Sequence, residues 1–309
     1  MTDNLRAALL MVFAMTVFAI EDAIFKELAL GLPGGELIVI GSATGAVYIL
    51  IWGHFKGRSV WTRSLTRGSV ITRNLAEIAS TLSGVAALLL NPLSVHAAIT
   101  QAIPLVVTVA AILYLREALT PTRLIATFMG FVGVLLIIEP GADTFRPEVL
   151  LCVLSVFCVA LRDVITRTIP REVSSYALIF WSHITGILAG FMLMAIFKQS
   201  WMMPPAWMFA FFIVNTGFGL LGGVALTVAV RQGEASFITP FRYSRILVAF
   251  ALGVFWFKEV ISTNMLLGSA LLVVAGIWVF RAERRRAAII VQVTPEPTII
   301  GIGSAKPDA

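Results

Sequence analysis

The chain has 309 residues, of which 59% are hydrophobic and 13% are charged, and its mean hydropathy is +0.93. Soluble domains carry about 25% charged residues, so this composition excludes an ordinary soluble protein and indicates a polytopic membrane protein. The net charge of +6 comes from particular loops, which indicates membrane orientation and not a nucleic-acid partner. Cys152 and Cys158 lie in one apolar segment, so neither a disulfide framework nor a thiolate metal site is expected.

Ten segments are long and apolar enough to cross a bilayer, which takes about 20 residues. The links between them are short and are marked by proline or glycine. The N-terminal segment is too long for the apolar part of a signal peptide, so we interpret it as the first span. In chain order the predicted spans cover residues 5–28, 34–53, 71–90, 94–115, 122–139, 148–168, 175–197, 206–230, 235–257 and 262–281.

Lysine and arginine concentrate in alternate links. The even-numbered links and the C-terminal flank hold most of them, and the second link alone contains Lys56, Arg58, Arg63, Arg67 and Arg73. The odd-numbered links carry little positive charge: Arg146, Lys198 and Lys258. By the positive-inside rule, both termini are expected to be cytoplasmic.

The two halves of the chain resemble each other at an offset of about 141 residues, at which Asp22 aligns with Asp163. Each half contains five spans, an odd number, so the halves must be inverted in the membrane. The predicted fold is an all-α membrane protein of ten transmembrane helices in two inverted five-helix repeats, 1–140 and 141–286, followed by a disordered cytoplasmic tail, 287–309. Inverted repeats are typical of transporters, whose binding site lies near the midplane between the halves.

Two arginines open the ninth span. Arg242 and Arg245 are three residues apart and would share one helix face, and Tyr243 between them offers a hydroxyl and an aromatic ring. The arginines either snorkel or form structural ion pairs, or they face a polar path and bind an anionic or zwitterionic ligand. Arg245 lies one turn deeper, so we expect it to bind an anion, namely Glu21, Asp22 or the substrate.

Further ionisable residues lie within the first and sixth spans. Glu21 and Asp22 occupy the first span, and Arg162 and Asp163 occupy the equivalent positions of the sixth. Ionisable groups at this depth are usually functional. Because Glu21 and Arg162 have opposite charges and equivalent positions, we predict that they form a pair between the two halves.

Other polar residues are scattered over the remaining spans. Glu77 lies one turn inside the third span, and we predict that it is the carboxylate least paired with arginine and therefore the proton carrier if transport is proton-coupled. Gln101 is in the middle of the fourth span and can bind another helix or a substrate. Trp181 and His183 lie in the seventh span and Asn215 in the eighth; for His183 and Asn215 a structural role is expected.

These features together resemble the EamA-type branch of the drug/metabolite transporter superfamily. The resemblance rests on the ten spans, the inverted halves and a glutamate just after spans four and nine, in YLREALT and WFKEVIS. The segments IEDAIFK, EPGADTFRPEVL, LRDVIT and PFRYSRI are similar to S-adenosylmethionine uptake carriers and bacterial riboflavin carriers. The resemblance runs from Leu5 to Arg281 and implies alternating access around a central cavity. It also implies a multi-pass protein of a bacterial cytoplasmic (inner) membrane. Many relatives have Asn-Asp where this chain has Glu21-Asp22, which adds a potential negative charge.

The expected function is a secondary transporter of a small polar or zwitterionic organic metabolite, such as an S-adenosylmethionine-like, amino-acid-like or vitamin solute. An exporter of organic anions or drugs is the alternative within transport. The expected partners are this solute and the lipid bilayer, in a monomer or a homodimer, with no cofactor or metal. The predicted substrate-binding residues are Glu21, Asp22, Glu77, Gln101, Arg162, Asp163, Trp181, Arg242, Tyr243 and Arg245.

The rival classes are an intramembrane enzyme and a structural membrane protein. A HExxH metalloprotease motif and a GxxxxGK nucleotide-binding loop are absent from the sequence. Asp22 and Asp163 are the one possible aspartyl pair, and each is followed four residues later by a basic residue. We therefore expect no catalytic residues.

Overall fold

The computed structural model describes residues 3–57, 59–61, 67–115, 121–140, 145–170, 173–232 and 239–293. Within these ranges the chain forms α-helices and short 3-10 turns, without strands. Two 3-10 turns, Pro147–Val149 and Thr239–Tyr243, each lead directly into a helix. The helices are α1 (Asp3–Leu28), α2 (Gly34–Phe55), α3 (Gly68–Leu90), α4 (Leu93–Thr100), α5 (Ile103–Leu115), α6 (Pro121–Ile138), α7 (Leu150–Arg167), α8 (Ser175–Ile196), α9 (Ala206–Gln232), α10 (Ser244–Phe255) and α11 (Thr263–Val293).

Several of these helices suit a membrane. Five segments are long and apolar enough to cross a bilayer: Leu5–Leu28, Gly34–Phe55, Pro147–Thr166, Tyr176–Ile196 and Ala206–Leu226. Three shorter apolar segments cover Leu93–Val107, Leu124–Ile138 and Thr263–Trp278. The all-helical membrane class is thus confirmed, whereas the count of ten spans stays a prediction.

The fourth predicted span is not one continuous helix. It divides into α4 and α5 at a turn formed by Gln101 and Ala102. Pro104 follows in the first turn of α5, where a residue without a backbone N–H is tolerated. The break places the buried side chain of Gln101 at a bend, which a hydropathy pattern alone does not reveal.

The most extensive helix contacts join the first half of the chain to the second. Helix α1 packs on α9, α2 on α8, α3 on α7 and α6 on α11. Helices α2 and α8 approach through glycines, because a Cβ on Gly35 would lie 2.6 Å from the carbonyl oxygen of Gly190. Small residues at such crossings allow backbone contact inside a bilayer. The halves are therefore interleaved.

The C-terminal helix is longer than the sequence predicts. Helix α11 continues to Val293, past Arg286, where the predicted tail begins. The rest of that tail, 294–309, lies outside the described residues. Around α11, the largest apolar core cluster combines buried side chains of α3–α7, α10 and α11, including Ile99, Cys152 and Leu272.

Candidate functional site

A cavity of about 880 Å³ opens between α1, α2, α3, α8 and α9. This volume lies within the range of known small-molecule pockets, about 300–1,000 Å³. The wall is mostly apolar, and its aromatic members are Phe18, Phe25, Trp52 and Tyr176. Its other polar side chains are Glu21, Ser42, Thr81, His183, Asn215 and Thr216. A mostly apolar wall with a few convergent polar groups is the usual form of an organic ligand site.

Glycines shape this cavity. A Cβ added to Gly41 would meet nothing within 4 Å, so α2 leaves open space there. A Cβ added to Gly219 would instead lie 2.5 Å from Oε1 of Glu21. The missing side chain on α9 therefore makes room for the Glu21 carboxylate, which lies against the backbone of α9 at the edge of the cavity.

Glu21 is the one acidic residue among the described residues that line the cavity, and no lysine or arginine accompanies it there. Across the described ranges its carboxylate makes neither a hydrogen bond nor an ion pair. Asp22 and Arg245 are close enough to act on it electrostatically, with opposite signs. The cavity wall thus carries one uncompensated carboxylate.

Arg245 binds the neighbouring carboxylate. Its Nη2 donates a hydrogen bond of 2.5 Å to Oδ2 of Asp22, and its guanidinium lies 5.7 Å from the ring centroid of Phe18. The prediction that Arg245 finds an anion among the residues of the first span is confirmed, with Asp22 as the partner. The ion pair ties α10 to α1, because each residue belongs to one of these helices.

The two arginines differ in their surroundings. Arg242 lies in the 3-10 turn before α10, its side chain is exposed, and in the described part of the chain it has no ion pair. Tyr243 is buried, and its hydroxyl packs against Gly276 of α11. Neither residue lines the cavity.

Three more of the predicted site residues, Glu77, Arg162 and Asp163, belong to a second region. Oε2 of Glu77 lies 2.5 Å from Nη2 of Arg73, one turn earlier on α3. Oε1 of Glu77 lies 3.4 Å from Nη1 of Arg162, whose Nη2 is 2.7 Å from Oδ1 of Asp163. The hydroxyl of Ser182 donates to Glu77 at 3.5 Å. We call Arg73, Glu77, Arg162 and Asp163 the ion-pair network; it links α3 to α7.

This network overturns two predictions. The predicted pair between Glu21 and Arg162 is wrong, because Arg162 binds Glu77 and Asp163 instead. The prediction that Glu77 is the carboxylate least paired with arginine is also wrong, because Glu77 contacts two arginines. The physical reason is the packing of α3 on α7, which brings Arg162 to Glu77, while α1 packs on α9.

The remaining two predicted residues lie away from the cavity wall. Gln101 is 9% exposed at the turn between α4 and α5, and its side chain forms no hydrogen bond within the described ranges. Nε1 of Trp181 donates to the carbonyl oxygen of Val60 at 3.4 Å, and the Trp181 ring packs edge-to-face on Trp61 at 5.4 Å. Of the ten predicted residues, Glu21 alone therefore lines the cavity.

Two lining residues were expected to be structural. The ring of His183 packs where a Cβ on Gly45 would lie, so this glycine makes room for the ring at the cavity. Asn215 is buried, and its Oδ1 has no hydrogen-bond partner among the described residues. Asn215 and Gly219 are four apart on α9 and so share a helix face. In the sequence, Asn215 precedes the GxxxG pair Gly219 and Gly223 by one helical turn. This spacing is the feature that could have placed Asn215 at the cavity.

The glutamate after the ninth span has a structural role. Glu259 accepts hydrogen bonds from the backbone N–H groups of Leu93 and Ser94, at 2.5 and 2.9 Å, and from the hydroxyl of Ser94 at 2.5 Å. Lys26 lies 3.4 Å from the same carboxylate. Glu259 thereby satisfies free donors at the start of α4. Glu117, the corresponding glutamate after the fourth span, lies outside the described residues.

Comparison with known proteins identifies similar transporters. Residues 146–281 match the EamA-like transporter family. An S-adenosylmethionine uptake transporter of Rickettsia conorii is 23% identical, over 86% of this chain and 89% of its own. Riboflavin transporters of Vibrio cholerae and Brucella anthropi are 26% and 29% identical, over 92% and 60% of this chain and 95% and 66% of their own.

A solved structure has a helix arrangement similar to that of this chain. It aligns with 92% of this chain and 99% of its own residues, with a TM-score of 0.56 and 17% sequence identity. At this identity the likeness concerns the arrangement of helices alone.

Proposed function

From the match of residues 146–281 to the EamA-like transporter family, we propose that the protein is a secondary transporter of a small polar or zwitterionic organic metabolite. The sequence resemblance predicts the same family. The observation that carries the proposal is the cavity of about 880 Å³ between membrane-type helices. Helices α1, α2 and α3 of the first half and α8 and α9 of the second supply its wall. A site between two halves is what alternating access requires.

The proposed architecture is ten spans in two inverted repeats. It counts α4 with α5 as one span, and the turn Thr239–Tyr243 with α10 as another. The helix contacts support it. In the proposed repeat, α1 is equivalent to α7 and α3 to α9, so the contact of α1 with α9 has its counterpart in the contact of α7 with α3. The other two contacts, α2 with α8 and α6 with α11, each join two equivalent helices. This is the contact pattern that a two-fold axis between the repeats produces.

The cavity runs along most of α2, from Leu37 to Trp52. Trp52, Tyr176 and Val228 line it near the ends of α2, α8 and α9 that adjoin the basic links. At the opposite ends, Gly35 and Gly190 bring α2 and α8 into backbone contact. With both termini cytoplasmic in an inner membrane, this arrangement corresponds to a conformation closed to the periplasm, and transport would require these contacts to open.

The arrangement favours transport over catalysis. Asp22 and Asp163, the one possible aspartyl pair, are engaged by Arg245 and Arg162 respectively. It also disfavours the alternative of an organic-anion exporter, because the described cavity lining contains neither lysine nor arginine.

The test is a thermal-shift screen of metabolites on the purified protein, followed by uptake of each hit into proteoliposomes. Binding to the native state raises the melting temperature by mass action. The control variant is Gly41→Trp, which fills the cavity where the structure has open space. We expect solute uptake in the wild type and its loss in Gly41→Trp at an unchanged melting temperature. Hits that bind without being transported, or uptake that survives a filled cavity, would refute the proposal.

A further inference from the structure

Taking the proposed transporter as its basis, we infer that the cavity selects an organic cation, whose positive centre is held by Glu21 and Asn215 on the shared wall of α1 and α9. The proposal narrows the substrate class, because it excludes anions and disfavours neutral aromatic solutes. It rests on three observations: the balance of charges, the position of two acceptor oxygens, and the aromatic lining.

The cavity wall itself carries one acidic side chain, Glu21, and no basic one among the described residues. Asp22 and Arg245 form an ion pair whose charges cancel, and Glu21 beside them has no such partner in the described chain. The ion-pair network contains two arginines and two carboxylates and is neutral as a whole. Ionising a buried carboxyl without a partner is costly, so a bound cation favours the ionised form of Glu21 and a bound anion disfavours it.

The two acceptor oxygens lie on one stretch of wall. The Glu21 carboxylate rests against Gly219, and Asn215 precedes Gly219 by one helical turn on the same face of α9. Oδ1 of Asn215 is buried without a hydrogen-bond partner in the described residues. Buried acceptors are normally hydrogen-bonded. A positively charged donor placed between them would satisfy both, whereas a sulfonium centre, which has no donor hydrogen, would interact with them through its charge alone.

The rest of the wall fits an organic body. Phe25, Trp52 and Tyr176 provide faces on which a ring can stack, and such faces also attract cations. An inorganic cation would need six or more oxygen ligands close together. A volume of about 880 Å³ lined mainly by apolar side chains suits a solute with a planar apolar part and one charged group.

The test uses pairs of ligands that differ in charge but share a ring system. One pair is S-adenosylmethionine, a sulfonium, and S-adenosylhomocysteine, a thioether that lacks the S-methyl group and with it the positive charge on sulfur. The other is tryptamine and its hydroxyl analogue tryptophol; riboflavin serves as a neutral aromatic. Dissociation constants are measured by calorimetry for the wild type, Glu21→Gln and Asn215→Leu, with uptake into proteoliposomes in parallel. The matched control is Glu27→Gln, at an exposed position of α1.

In at least one pair we expect the wild type to bind the cationic member about ten- to hundredfold more tightly, the range of one charged hydrogen bond. Glu21→Gln should remove this preference, Asn215→Leu should reduce it, and Glu27→Gln should keep it. Equal or weaker binding of both cations by the wild type, or a preference that survives Glu21→Gln, overturns the inference. Uptake of a neutral solute without any preference for cations would refute this inference but still support the transporter proposal. If no solute that binds is taken up, the transporter proposal is refuted as well.

Discussion

The ion-pair network and the cavity wall contain the same kinds of residue in opposite situations. In the network, Glu77 lies within 3.4 Å of two arginines, one on its own helix and one on α7. On the cavity wall, Glu21 meets Gly219, and the described chain provides it with no partner. The neighbouring helix makes the difference, since α7 supplies an arginine and α9 supplies a glycine. A charge inside the membrane therefore indicates a binding site only when the fold leaves it unpaired.

The largest expected effect comes from breaking the network. Glu77→Gln should lower the free energy of unfolding by about 3–5 kcal/mol, because it leaves Arg73 and Arg162 with one carboxylate between them in a buried setting. The measurement is chemical or thermal unfolding in detergent. Glu27→Gln is the same substitution at an exposed site, where Nε1 of Trp256 donates to the carboxylate at 3.1 Å. The amide keeps an acceptor oxygen for this bond, so stability should be nearly unchanged. If the two variants have the same melting temperature, the ion-pair network does not stabilise the fold.

The next effect separates the two arginines of the ninth predicted span. Arg245→Gln removes the contact with Asp22 and should cost about 1.5–3 kcal/mol of stability, the worth of a charged hydrogen bond. Arg242→Gln changes an exposed side chain and should cost less than about 0.5 kcal/mol. A double-mutant cycle with Asp22→Asn measures the coupling directly. Additive effects of Asp22→Asn and Arg245→Gln would show that the pair contributes nothing.

A smaller effect tests whether the position of the Glu21 carboxylate depends on Gly219. In Gly219→Ala the new methyl group would displace the Glu21 carboxylate. We expect affinity for a cationic ligand to fall about two- to tenfold, matching the 0.5–1.5 kcal/mol of a side chain forced off its rotamer. Gly41→Ala adds a methyl group to open space in the same cavity and should bind normally. Equal affinities in the two variants would argue against the position assigned to Glu21.

The smallest effect concerns a residue that the sequence assigned to the site. Trp181→Phe removes one long hydrogen bond to Val60 and keeps an aromatic ring against Trp61. Stability should change by about 0.5 kcal/mol, and affinity should stay within about twofold of the wild type. Calorimetry measures both quantities. A tenfold loss of affinity would place Trp181 in the site after all and weaken the contrast between the two regions.

Much of the fold follows from local properties of the chain. Apolar runs of membrane length determine the helical class, and most helices begin and end within a few residues of the predicted spans. The exceptions are the broken fourth span, the late start of α10 at Ser244 and the extension of α11 to Val293. The depth of Arg245 in its predicted span was enough to predict an internal anionic partner, which is Asp22. These predictions succeed because they depend on length, hydropathy and the cost of an unpaired charge, which act along a single segment.

The assignment of partners required the tertiary structure. Glu21 and Glu77 are both carboxylates within predicted spans, and nothing in their local sequence shows that Arg162 binds one and not the other. That choice depends on which helices pack together, α3 on α7 and α1 on α9. The bend at Gln101 and the cavity beside His183 and Asn215 have the same origin. Sequence alone determined which residues lie within apolar helices; helix packing decided which of them are paired, because pairing joins residues far apart in the chain.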